Sequence, residues 1–196
     1  MADAVLDTHT AILDAALAEV LAHGIRRTTA SDIARRAGVS RQTLYRYWPD
    51  AQALFAALVT RELLAAMPPD GGEGPATLDD LVSLLADTAE AVRRMPLVDR
   101  LRDTDPELFA RYILERLGTS QRAIHADLVV RIAGGQARGI VRAGDAAAMA
   151  AMVLLLIQSA IQSAPLMDEW LDAASWRTEL ALAVGGYLRP TSGRRG

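Results

Sequence analysis

Apolar residues recur every three or four positions along most of the chain, and the places where that rhythm breaks divide it into helices. Leu13, Leu17, Val20 and Leu21 mark a first stripe over about Thr10 to His23, and Gly24 is placed to stop it. A short second stretch turns Ile33, Ala34 and Ala37 inward, with Thr29 as its N-cap and Asp32 completing a variant capping box. Gly38 reverses the chain at low steric cost because glycine tolerates positive φ. Ser40 caps a third helix in which Leu44 and Trp48, four apart, are the residues set for burial, and Val39 is placed to staple onto Leu44. Pro49 and Asp50 end that helix and start a fourth, striped by Leu54, Phe55, Leu58, Val59 and Leu63 to about Ala66.

PPDGGEGPA, Pro68 to Ala76, reads as a loop, after which the helical rhythm resumes. Leu78, Leu81, Val82, Leu85 and Val92 predict a helix from Thr77 to Met95, followed by a short PLVDRLRDT piece and another that Asp105 caps with Pro106 at its first position. Ile124, Leu128, Val129 and Ile132 stripe Thr119 to Ala137, a helix that Gly134 and Gly135 should weaken at its end. Ala146 to Met167 carries no charged residue and is long enough to span a bilayer. Its alanines, Pro165 and the polar seam of Gln158, Ser159, Gln162 and Ser163 instead favour burial between protein surfaces. Trp176, Leu180, Val184 and Leu188 stripe a last helix from about Ala174, and PTSGRRG is read as a disordered tail. The fold class is all-α, with no internal repeat.

The third helix is unusual in what it leaves outside. Arg41, Gln42, Thr43, Tyr45 and Tyr47 project outward where a packing helix would place inert polar residues. Two short helices meeting at a glycine, the second lined with donors, acceptors and phosphate binders, form a helix-turn-helix, whose second helix lies in the DNA major groove. The paired amide groups of Gln42 suit adenine, Arg41 suits guanine or a phosphate, the Thr43 methyl suits thymine, and Tyr47 suits a phosphate. This stretch resembles the amino-terminal domain of the tetracycline-repressor (TetR) family. The shared pattern stands at Thr28, Thr29, Asp32, Ile33, Ala34, Ala37, Gly38, Val39, Ser40, Thr43, Leu44, Tyr45, Tyr47, Pro49 and Leu54. The resemblance implies DNA contacts from Thr29 and Tyr45 as well, and the capping residue Ser40 joins the candidate set. Three departures matter. Ala51 stands where the family usually has Lys, which removes one phosphate contact and about one counterion of salt dependence. Gln42 replaces a common Gly, and Trp48 replaces Phe.

Composition sharpens this picture. At 196 residues and 51% hydrophobic, the chain can bury one large core or two small ones. The net charge of −3 argues superficially against a nucleic-acid partner. Between His23 and Trp48, however, Arg26, Arg27, Arg35, Arg36, Arg41 and Arg46 face Asp32 alone, a local +5 that leaves −8 elsewhere. Every basic residue is Arg, so a P-loop lysine and a Schiff base are both excluded, and GGEG lacks the context of a phosphate cradle. The absence of Cys, and the wide spacing of His9, His23 and His125, give no metal site and no catalytic constellation. The acidic start does not resemble a secretory signal, and a cytoplasmic protein is expected. No enzyme and no cofactor are expected.

The domain boundaries read as a DNA-binding domain at 1–49, a connecting helix at 50–67, a helical regulatory and dimerisation domain at 68–189 and a tail at 190–196. By resemblance, the last two long helices pair with a second copy to form a four-helix homodimer interface, and the body holds a small-molecule effector. Candidate ligand residues are Leu101, Phe109, Tyr112, Ile113 and His125 from its middle portion, and Met149, Met152, Gln158, Trp170 and Trp176 from its later helices. The partners expected are operator DNA, a second copy and an apolar ligand, with no membrane. The expected function is a transcriptional repressor released from a palindromic operator by that ligand. The alternative is a ligand-independent regulator or an activator.

Overall fold

A computed structural model of the chain describes residues 2–68, 74–104 and 119–190, and these are helical throughout, with no strand among them. The helices are α1 (Ala2–His23), α2 (Ala30–Arg36), α3 (Arg41–Tyr47), α4 (Ala51–Ala65), α5 (Leu78–Arg93), α6 (Pro96–Thr104), α7 (Thr119–Ala137), α8 (Ala146–Ser163) and α9 (Ala173–Leu188). They form two compact units, one of Met1–Leu64 with Arg94–Ser120 and one of Ala65–Arg93 with Gln121–Gly196.

The first unit, the head, closes around Ile12, Ala16 and Val20 of α1, Ile33 of α2, Leu44 of α3, and Leu54 and Leu58 of α4. The buried face of α1 is therefore Ile12, Leu13, Ala16 and Val20, while Leu21, which its spacing also placed inward, is exposed. Ala16 explains the rotation, because a methyl on that face admits the neighbouring helix closely. The helix also begins at Ala2, earlier than its apolar stripe, in a stretch where alanine supplies helix propensity. α6 contributes Leu97 and Leu101 to the same core. It also grips the end of α1. Arg100 Nη2 donates to the Ala22 carbonyl at 3.0 Å, and a Cβ on Gly24, whose φ is 79°, would lie 3.0 Å from Thr104 Oγ1.

The second unit, the body, has its own core of Leu81, Val82 and Leu85 from α5, Leu128 and Ile132 from α7, Met149 and Val153 from α8, and Trp176, Leu180, Val184 and Leu188 from α9. Its helix starts are capped: Thr77 and Asp80 exchange reciprocal bonds before α5, Asp145 accepts the Ala147 amide, and Asp172 accepts the Ser175 amide. Ser175 hydrogen bonding holds the Asp172 carboxyl below its ordinary range. α7 runs through Gly134 and Gly135 rather than fraying there. The reason lies across the turn, since a Cβ on Gly135 would sit 2.5 Å from Val141 Cγ2 as the chain folds back. Gln136 then donates to the Arg142 and Gly144 carbonyls at 3.0 Å each, and Arg142 stacks 4.6 Å from the Tyr187 ring.

α8 ends at Ser163, where Pro165 forces a 3₁₀ turn over Ala164–Met167. The stretch Ala146–Met167 is long and apolar enough to cross a membrane by length and composition alone. Met149, Ala150 and Val153 face the body core, whereas Met152, Leu155 (59% exposed) and Ser159 form an outer stripe at helical spacing. Leu182 of α9 is similarly exposed, at 63%.

Candidate nucleic-acid interface

The path from α2 to α3 is fixed by local chemistry. Thr29 Oγ1 accepts the Asp32 amide at 3.2 Å and donates its proton to the Asp32 carboxylate, which also holds Arg35 Nη2 at 2.7 Å. The Thr29 hydroxyl and then Arg35 pull the Asp32 carboxyl below its ordinary range. The cap thus differs from a reciprocal capping box, in which the carboxylate would reach the Thr29 backbone amide. α2 closes with Val39 N–H bonded to the Ala34 carbonyl at 3.0 Å and Gly38 N–H to the Arg35 carbonyl at 3.3 Å. That pair is a Schellman motif, and it needs the left-handed φ of 68° that Gly38 adopts. Ser40 Oγ accepts the Thr43 amide at 3.0 Å, and Val39 packs against the core that contains Leu44.

These caps orient a helix with one buried and one open side. Leu44 and Trp48 are buried, while Arg41, Gln42, Tyr45 and Arg46 are exposed. Gln42 makes no hydrogen bond among the described residues, so both its amide groups are available for a base edge. Arg41 lies over the Tyr45 ring at 5.8 Å, an arrangement that restrains both side chains. Thr43 is half-buried and shares its hydroxyl with Ser40 at 2.9 Å. Tyr47 is also half-buried, packing on the head core beside His9 and Trp48. The structure therefore brings the candidate DNA residues Thr29, Ser40, Arg41, Gln42, Thr43, Tyr45 and Tyr47 to one end of the head in two roles. Thr29, Ser40 and Thr43 spend hydroxyl groups on the caps, Arg41, Gln42 and Tyr45 are exposed, and the half-buried Tyr47 belongs to neither set.

Four of the six arginines divide likewise. Arg35 is tied to Asp32, and Arg36 Nε donates to Glu19 Oε1 at 2.7 Å, where Glu19 is only 6% exposed. That second pair ties α2 to α1 and satisfies a carboxylate whose burial would otherwise be costly. Arg41 and Arg46 have no carboxylate partner among the described residues. Arg46 entered the sequence reading only through the charge count. Its exposed place on α3 adds it to the candidates for a phosphate contact, and the usable signal is its position one residue after Tyr45.

The body candidates separate. Met149 and Trp176 are buried in the body core, with Trp176 Nε1 donating to the Ala160 carbonyl at 3.3 Å and Arg93 lying over its ring at 5.0 Å. His125 and Gln158 are half-buried, and His125 Nε2 lies 3.0 Å from the Ala147 carbonyl. Met152 and Trp170 are exposed, the latter at 70%. Leu101 belongs to the head core, and Phe109, Tyr112 and Ile113 lie outside the described residues.

Residues 12–58 match the family described as bacterial regulatory proteins, tetR family. Two uncharacterised HTH-type transcriptional regulators, one of Mycobacterium bovis and one of Mycobacterium tuberculosis, are each 42% identical over 192 residues, covering 93% of this chain and 95% of theirs. Among solved structures, a TetR transcription regulator from Haloarcula marismortui shares the fold at a TM-score of 0.62 and 20% identity, over 93% of this chain and 96% of that one. SmeT, the repressor of the Stenotrophomonas maltophilia multidrug efflux pump SmeDEF, matches at a TM-score of 0.61 and 25% identity, over 95% and 94%. The fold and the relatives are those of transcriptional regulators, not of enzymes.

Proposed function

The chain belongs to the tetR family of bacterial regulatory proteins, and from that premise we propose that it is a dimeric, cytoplasmic repressor that reads a palindromic operator through α3. A small apolar ligand in the body releases it. The observation that carries the reading is the open face of α3, where unbonded Gln42 and carboxylate-free Arg41 and Arg46 sit on a helix whose direction is fixed by Gly38 and Ser40.

One seven-residue helix touches too few base pairs for specific binding. Two heads set about 34–36 Å apart would meet successive major grooves and read two half-sites. The outer stripe of α8 and exposed Leu182 of α9 support a second copy as what covers those apolar surfaces. Repression is supported by the role given to the S. maltophilia protein. Ligand release requires that occupancy of the body favour a conformation with the heads out of register. Moving that population from 1:99 to 99:1 takes about 5.5 kcal/mol of differential binding. Leu97 and Leu101 of α6, together with Arg100 and Thr104 at the end of α1, make α6 part of the head itself.

Selection of bound fragments from genomic DNA by the purified protein tests the reading. The expected result is an inverted repeat whose half-sites are one helical turn apart, bound at least a thousandfold more tightly than random duplex at fixed salt. A single half-site, or a specificity ratio near one, overturns it.

A further inference from the structure

At the carboxyl end of α3 the head assembles a cluster that base reading by Arg41 and Gln42 leaves unused. The His9 imidazole of α1 lies 4.7 Å from the Trp48 ring, tilted by 35°, and 5.9 Å from the Tyr47 ring in an edge-on arrangement at 72°. Tyr47 and Trp48 are themselves 5.6 Å apart, and the Arg46 guanidinium lies 5.5 Å from the Tyr47 ring centre. His9 is half-buried, and Arg46 in the last turn of α3 is exposed.

We propose that His9 is a backbone-phosphate contact of the DNA interface, held against the end of α3 by Tyr47 and Trp48, and that operator binding takes up a proton there. The proposal rests on α3 being the helix that lies on DNA.

Trp48 and Tyr47 place aromatic groups beside the His9 ring, and the Arg46 guanidinium, 5.5 Å from the Tyr47 ring centre, repels a cation there. On α1, Asp7 is exposed two residues earlier, and Asp14 is held by Arg61 of α4 at 2.7 Å. Among the described residues no carboxylate is paired with His9. A phosphate arriving beside Arg46 and Tyr47 offsets the repulsion and adds attraction. It also gains from the second N–H donor that protonation creates.

Histidine changes charge between about pH 5 and 8. Because the DNA-bound state favours the imidazolium, affinity is greatest on the acid side and is lost as pH rises through that range. A difference of one unit between bound and free states corresponds to about tenfold in affinity per head, hence up to about a hundredfold for the two heads on one operator. The protonated form also releases about one more counterion per head, steepening the salt dependence by about 0.9 per head in log–log slope.

The test measures dissociation constants between pH 5.5 and 8.5, at several salt concentrations, on the duplex that the purified protein selects from a randomised pool. Full-length wild type, His9→Gln, His9→Arg and His23→Gln are compared, with thermal unfolding of each recorded. Wild type and His23→Gln are expected to weaken about tenfold per head, up to about a hundredfold for the dimer, from pH 6 to 8, with the steeper salt slope only at pH 6. His9→Gln should be flat across that window at the wild-type alkaline affinity, and His9→Arg flat at a tighter value. A pH slope retained in His9→Gln overturns the proposal, as does a wild-type profile without one. Arg41→Ala and Gln42→Ala separate the two readings. If they abolish selective binding while His9→Gln behaves as wild type, the phosphate contact alone fails; if they bind as wild type, the assignment of α3 fails.

Discussion

The head and the body are both helical units of similar materials, yet they solve different problems. In the head, each helix boundary next to the open face is fixed by groups within a few residues of it. Thr29 and Asp32 start α2, Gly38 and Val39 close it, and Ser40 with Thr43 starts α3. The exposed residues of α3 are Arg41, Gln42, Tyr45 and Arg46, each with a polar or cationic group to present. The body has an equally dense core, but α8 and α9 leave Met152, Leu155 and Leu182 open to water. Burying apolar area is worth about 25 cal/mol per Å², so such a stripe is a surface that gains by being covered. The difference teaches that the head carries recognition through local geometry, while the body acts through what it meets.

The sharpest way to break this contrast is to charge the body's outer stripe. Leu155→Glu combined with Leu182→Glu should leave each protomer folded, because both side chains are exposed in it. The expected outcome is a monomer by sedimentation and a loss of operator affinity of at least a hundredfold, since one head alone reads one half-site. A variant that stays dimeric and binds fully would move the interface elsewhere. A change confined to the head should act differently. Gln42→Ala should cost about 1–3 kcal/mol against the preferred base at one position and nothing against other sequences. Dimerisation should be untouched. Equal weakening on all sequences would mean that Gln42 positions the protein rather than reading it.

The same contrast explains how much was legible in the sequence. Helix-turn-helix geometry was readable because its determinants are short-range: a hydroxyl three residues ahead of an amide, a glycine at a reversal, Leu44 and Trp48 one turn apart. Even there, long-range packing went unseen. Nothing near His9 in the sequence indicates that its ring meets Tyr47 and Trp48, and nothing near Leu97 or Leu101 indicates that α6 completes the head core. Tyr47 was read as projecting outward on helical periodicity, but α3 ends beside α1, and the ring is half-buried there. The charge count likewise treated six arginines alike, although Glu19 and Asp32 engage Arg36 and Arg35. In the body, periodicity found the helices but could not tell which Met and Trp residues face the core. Met149 and Met152 lie three apart on α8 and differ entirely in exposure.

Two smaller perturbations sharpen the head's side of the comparison. Gly38→Ala meets no atom within 4 Å of the new Cβ, so its cost is conformational alone. Holding alanine at a φ of 68° should destabilise the head by about 1–2 kcal/mol. Chemical denaturation that resolves the two units should show that loss in the head transition only. A larger loss, or one shared with the body, would show that the turn makes contacts beyond its own backbone.

The smallest effect concerns acid. Asp32 has its carboxyl held below the ordinary value of 3.8 by the Thr29 hydroxyl and by Arg35. A depressed carboxyl binds fewer protons in the folded state than in the unfolded state. Its contribution is therefore fully present above about pH 4–5 and is lost as pH falls through the folded value. Asp32→Asn should remove that contribution and leave α2 opening with the same free energy at pH 6 and pH 3, whereas wild type should open more readily at pH 3. Hydrogen exchange of the α2 amides, converted to opening free energies at each pH, reads this directly. The pair is exposed, so the change should be small and should shrink further in high salt. A pH effect equal in wild type and Asp32→Asn would assign the acid sensitivity of α2 to the Glu19–Arg36 bridge, making the start of the recognition unit depend on packing against α1 rather than on its own cap.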